Sequence, residues 1–200
     1  MDTPASRTVS GIDLMHPDAE SAVLAAEVAV EAQKYLDTVT EVAAGEHESA
    51  EISLLLLAAS RILAVGARLG ASRDFLPSEQ YEPDSGPDDD LGPLLVSLSQ
   101  ELDGLDEYAD LVDPLTSPEL TSGSLTGDLL SIAEDLAKGL QHARANRFDE
   151  ALWWWQFSYL SNWGERAAAT VRILTSVLSH LRLDADPDTL ADAEFHALHP

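Results

Sequence analysis

Glu48 with Glu51, and Glu107 with Asp110, are pairs of carboxylates three residues apart. On a helix that spacing puts both side chains on one face. Facing pairs of this kind can hold magnesium against phosphate oxygens, the chemistry of an all-helical nucleotide pyrophosphatase. Such a site also needs cations to take the phosphate charge, and no Lys, Arg or His occurs between Arg73 and Lys138. A chain this rich in acids produces the spacing by chance as well, so a magnesium-dependent pyrophosphatase-like enzyme is the second reading.

Other catalytic chemistry has less support. The histidines His16, His47, His142, His180, His196 and His199 include no HExxH and no Glu-x-x-His pair, the signatures of zinc hydrolases and di-iron bundles. There is no cysteine, hence no thiolate nucleophile, Cys-ligated metal or disulfide. The stretch "DSGPDDDLG" offers Asp84, Asp88, Asp89 and Asp90 as candidate ligands for a divalent cation, without the ligand alternation or terminal Glu of an EF-hand loop. Solvated loop acids explain it more simply. No catalytic residue and no cofactor is expected.

Charge is the dominant feature. Lys and Arg number 11 against 36 Asp and Glu, a formal net charge of -25. Nucleic-acid backbones and anionic membranes both need cations on the protein, so neither is an expected partner. Asp103, Asp106, Glu107, Asp110 and Asp113 recur at helical spacing near one helix end. There like charges repel and oppose the helix dipole. Solubility accounts for acids in general. A surface kept anionic for a basic protein partner accounts for this stripe, and a DNA-mimic inhibitor is a special form of that reading.

All four tryptophans fall in "ALWWWQFSYLSNWG". Stepping 100° per residue from Phe148 to Leu183 puts Trp153, Phe157, Leu160, Gly164, Ala167, Val171 and Leu174 on one flank of a broad apolar arc and Leu152, Trp155, Tyr159 and Trp163 on the other. Trp153, Trp155 and Trp163 are therefore expected in the core, with Trp154 as the ring at a surface. Gln156, Asn162 and Arg166 fall within or beside the arc. Their polar atoms must find partners, either as anchors for a loop and its acids or as a polar pocket floored by indoles.

The elements that position these residues read as five helices: Asp18 to Ala43 with Gly45 as its stop, Ser49 to Leu69, Leu91 to Val112, Leu125 to Ala145, and the tryptophan helix from Phe148 to Leu183. The fold class is all-α, with no convincing period-two run. A long acidic Pro/Gly-rich loop separates helices two and three, and "NRFDE" joins helices four and five as a tight antiparallel hairpin. Residues 1–17 read as a disordered tail and residues 184–200 as a peripheral acidic tail with room for one short helix, flanking a bundle at 18–183. The N-terminus lacks the basic and apolar regions of a signal peptide, and the apolar run "ISLLLLAAS" stops at Arg61, so a cytoplasmic protein is expected.

The blocks "GARLGASRDFLPSEQYEPDSGPDDDL" and "EALWWWQFSYLSNWGERAAATVRIL" resemble a bacterial all-helical family known as domain of unknown function 5063. The similarity runs from about Asp18 to Leu183. It implies a helical bundle with a long loop after the second helix, and it brings no assigned activity or catalytic residue. The leading functional reading is accordingly a non-enzymatic interaction or adaptor protein whose acidic surface meets a basic protein partner.

Overall fold

The computed structural model describes residues 17–47, 50–77, 91–113 and 115–183. The expected tails and the acidic loop with Asp84, Asp88, Asp89 and Asp90 lie outside them, as does Glu48.

Among the described residues the fold is all-α, a bundle of five helices, counting the continuous α5–α6 as one, with one small hairpin. The elements are α1 (Pro17–Ala43), α2 (Glu51–Gly70), α3 (Gly92–Glu101), β1 (Glu107–Asp113), β2 (Ser117–Ser124), α4 (Leu125–Arg144), α5 (Phe148–Ser158) and α6 (Gly164–Leu183). A single π turn, Tyr159–Trp163, joins α5 to α6 without a break.

The helix ends follow from local chemistry. Gly45 takes the left-handed conformation (φ 69°) after α1. Its amide donates to Val42 O (2.9 Å) and the Glu46 amide to Glu41 O (3.2 Å), a Schellman cap on carbonyls the helix leaves open. Asn146, also left-handed (φ 58°), does the same after α4, with the Arg147 amide donating to His142 O (3.0 Å). That turn folds α5 back on α4 as the expected antiparallel pair.

The helix α2 is 20 residues long and apolar enough to span a bilayer, beyond the shorter run ending at Arg61. Here its face of Ile52, Leu55, Ala59, Ile62 and Leu69 is buried in the bundle. The continuous α5–α6 helix is central: α5 packs mainly on α4, and α6 mainly on α2. Glycines let the rings in. A Cβ at Gly139 on α4 would overlap the Trp155 indole, and one at Gly66 on α2 would overlap Trp163 and Tyr159. Tyr35 pins α1 to α4 by donating its hydroxyl to Leu129 O (3.0 Å). Burial, and then the charge of Asp128, raise its phenol well above the ordinary value.

Three expectations need correction. First, the third helix does not run to Val112. It ends at Glu101, Gly104 turns with φ 77°, and an antiparallel hairpin follows in place of a helix and a loop. Leu105, Ala109 and Val112, which a helix would turn inward, are exposed. Second, Trp155 and Trp163 are fully buried as expected, but Trp153 is only half-buried, much like Trp154. Third, Phe157 and Leu160 are more than half exposed. The π turn is one cause: the Gly164 amide donates to Tyr159 O, five residues back, so a uniform 100° step loses phase there.

Candidate interaction site

The site is built where the hairpin meets α4 and α6. Register pairs Glu107 with Ser124, Tyr108 with Gly123, Asp110 with Thr121 and Leu111 with Leu120, and a bulge follows before Asp113. Gly123 is required because Tyr108 lies across it, where any side chain would collide with the ring.

Two clamps hold the hairpin to the bundle. At its base, Asp106 receives the Thr126 amide (2.7 Å), the Thr126 hydroxyl (2.5 Å) and the Ser124 hydroxyl (3.0 Å). Ser124 itself caps α4 by accepting from the Gly127 amide (3.0 Å). Burial alone would raise the Asp106 carboxyl. The donors from Thr126 and Ser124 outweigh it and hold the carboxyl below its ordinary value.

Higher up, Asp128 on α4 is only 4% exposed. Its carboxylate accepts from the Tyr108 hydroxyl and from Arg166 Nη1 (2.6 Å) on α6. Burial, and then donation to Asp128, push the Tyr108 phenol well above its ordinary value. The Arg166 Nε donates to Asn162 Oδ1 (2.8 Å), and Asn162 Nδ2 donates to Asp135 Oδ2 (2.7 Å) and Ser131 Oγ (3.1 Å). Burial raises the Asp135 carboxyl, against the Asn162 bond and the charges of Lys138 and Arg166. Beside this chain Arg172 pairs with Asp110 (3.0 Å) and lies over the Tyr108 ring.

A cleft of about 300 Å³ lies between the hairpin and α4 and α6, lined by Tyr108, Gly123, Asp128, Asn162 and Arg166 among others. These side chains bond mainly to one another. Their arrangement positions a hairpin on the bundle.

The remaining expected site residues fall as follows. Asp103 sits exposed in the turn after α3, Glu107 is exposed on β1, and Asp106 and Asp110 are engaged in the clamps. The continuous helical acidic stripe therefore does not exist, because its second half is a strand. For the same reason Glu107 and Asp110 do not share a face, and the carboxylate pair that needed a helix is lost. Among the described residues no group of three or more His, Asp or Glu is placed to hold a metal ion.

Trp154 is half-buried, donates its indole N–H to Asp135 O (2.9 Å) and carries Lys138 Nζ 4.1 Å above its ring. Gln156, Asn162 and Arg166 do find partners, though not as one cluster. Asn162 and Arg166 join the clamp. Gln156 is buried on the other side, where Oε1 accepts from the Phe75 amide (3.0 Å) and Nε2 donates to Leu69 O (2.8 Å) and Arg73 O (3.1 Å). It anchors the chain leaving α2. Gln156→Ala would strand that buried backbone amide and is expected to cost about 1–2 kcal/mol. Denaturant midpoints check this, and an unchanged midpoint would show the anchor to be dispensable.

Tyr108, Asp128 and Arg172 were not legible as site residues. The signal that could have found the hairpin is Asp103-Gly104, a turn dipeptide inside a supposed helix.

Comparison with known proteins bears on the bundle as a whole. The family model of DUF5063, described as a domain of unknown function, matches residues 20–180. No curated protein matches the sequence. Among solved structures, the crystal structure of protein BF1032 from Bacteroides fragilis, a Northeast Structural Genomics Consortium target, is 15% identical with a TM-score of 0.52, covering 86% of this chain and 96% of that one. At that identity the likeness concerns the fold alone.

Proposed function

From the premise that this chain belongs to the DUF5063 family, whose function is unknown, we propose that it is a non-enzymatic interaction protein whose clamped β-hairpin engages a basic protein partner. One observation carries the reading. Val112, Leu115 and Leu120 are 56%, 93% and 72% exposed on a hairpin fixed to the bundle by part-buried polar bonds. Apolar side chains held out in water on a positioned element are typical of a contact surface. Glu107 and Glu119 on the same hairpin and Asp103 just before it are exposed acids, and residues 74–137 contain no basic side chain at all. Exposed apolar residues accompanied by charged ones are the usual composition of an interface, and the acids steer cations. The magnesium enzyme has no comparable support, because its second carboxylate pair is on a strand.

The test is affinity capture from a lysate of the producing cells at moderate salt, comparing wild type with Leu115→Ser/Leu120→Ser. Wild type is expected to retain a protein of net positive charge. The double variant, with an unchanged melting temperature, should lose about tenfold in affinity, as for a truncated interface anchor. Raising salt should weaken capture by wild type. Recovery of the same proteins by both chains at every salt would sink the reading.

A further inference from the structure

An antiparallel ladder alternates residue pairs that exchange backbone hydrogen bonds with pairs that do not. The bond from the Leu125 amide to Asp106 O (2.8 Å) fixes the phase here, since Asp106 and Leu125 continue the register of Glu107 with Ser124. Tyr108 with Gly123 and Asp110 with Thr121 are then the bonded pairs. The amides and carbonyls of Glu107, Ala109 and Leu111 consequently point away from β2, to the free side of β1. The described sheet has two strands, so no further strand is paired on that side, and α6 reaches β1 through Arg172, which pairs with Asp110.

Strand edges left open are templates for another strand, and proteins blunt them with proline, lysine, bulges or a covering element. The strand β2 carries Pro118, which has no amide hydrogen to offer. From Glu107 to Leu111 β1 has neither Pro nor Lys, and its bulge lies beyond Leu111. What it has instead is Glu107 and the field of a chain with net charge -25. That field repels a second copy of the protein and attracts a cationic segment.

We propose that the free edge of β1, from Glu107 to Leu111, takes up an extended basic segment of the partner as an added strand. This rests on the interaction reading above and specifies how it is achieved. Main-chain hydrogen bonds to Glu107, Ala109 and Leu111 provide the pairing, as in other strand additions. Lys or Arg on the strand face beside Glu107, with apolar β-branched residues at the alternate positions, provides the selection.

The probes are an alternating Lys–Val octapeptide, the same peptide N-methylated at every residue so that neither of its edges can pair, and an alternating Glu–Val octapeptide. Binding is measured by calorimetry and by amide NMR shifts on the full chain. The protein variants are Ala109→Pro, which removes an outward amide without breaking a ladder bond, and Ser122→Pro, which does the same on the β2 edge. The Lys–Val peptide is expected to bind wild type and Ser122→Pro alike, with shifts at residues 107–111. Affinity should fall by about tenfold or more for Ala109→Pro and for the N-methylated peptide, and the Glu–Val peptide should not bind.

If Ala109→Pro disturbs the hairpin, the N-methylated peptide carries the test on the unaltered protein. Equal binding of the N-methylated peptide would reduce the effect to charge and overturn the proposal. So would absence of Lys–Val binding, loss in Ser122→Pro alone, or a dimer of this chain seated on the edge. The two readings fail differently. A cellular partner captured equally by wild type and a folded Ala109→Pro overturns the added strand alone, whereas no partner at all overturns the interaction reading.

Discussion

Trp163→Ala is expected to lower stability by about 3–5 kcal/mol, the range for truncating a fully buried aromatic ring. The ring is completely buried, meets Tyr159 edge-on at 4.8 Å between centroids, and donates its indole N–H to Ser158 Oγ (3.1 Å). Its neighbour on α2 is Gly66, whose bare backbone has no side chain to swing into the vacated space. The cavity therefore persists, and Ser158 Oγ loses the bond it accepts while still donating to Trp154 O (2.7 Å). Trp154→Ala should cost much less despite losing the bond to Asp135 O, because its ring is half-exposed already. Denaturant midpoints of the two variants check the order, and the reverse order would mean that the central helix is packed differently.

Asp128→Ala should have the second largest effect, about 2–3 kcal/mol. Breaking a wholly buried ion pair costs about 3–5 kcal/mol through the charge left behind. Here Arg166 is 44% exposed in its side chain and can turn to water, which lowers the figure. What remains is the loss of two charge-assisted bonds, from Tyr108 and from Arg166, at the point that ties the hairpin to the bundle. The effect should be local as well as global. Amide exchange at Tyr108 and Asp110 is expected to accelerate beyond what the drop in global stability explains, while amides of α2 and α4 follow the global change. Hairpin exchange that merely tracks the bundle would show that the Asp128 clamp does not hold it.

The helices were legible because their apolar stripes are long, and the ends of α1 and α4 carry Gly45 and Asn146 at left-handed positions, whereas α3 was read too long. The hairpin was not, for a physical reason. A strand half-buried in a sheet alternates apolar and polar residues, but this ribbon is exposed along most of its length, and β2 reads only as small and polar residues. Its placement comes from Asp128 and Arg172, which lie 20 and 62 residues from their partners Tyr108 and Asp110. No local pattern encodes such bonds. Gln156 was legible as a buried amide that needed partners, although which backbone it would hold depended on how the chain leaves α2. Asn162 and Arg166 were legible in the same limited sense, since their partners belong to another helix.

The π turn has a consequence for inheritance. One residue on a helix is worth about 100° of rotation, and the five-residue turn at Tyr159–Trp163 gives the two halves of one continuous rod different headings. The half before it faces α4 and the half after it faces α2. Gly164 is part of the device, because a side chain there would run into the Tyr159 carbonyl. Loss or gain of a single codon between Ser158 and Gly164 would turn Ala167 and Leu174 out of the core together, though every residue of α6 stayed the same. Relatives that keep this bundle should therefore tolerate substitutions along α6 far more readily than a change of length in those few positions.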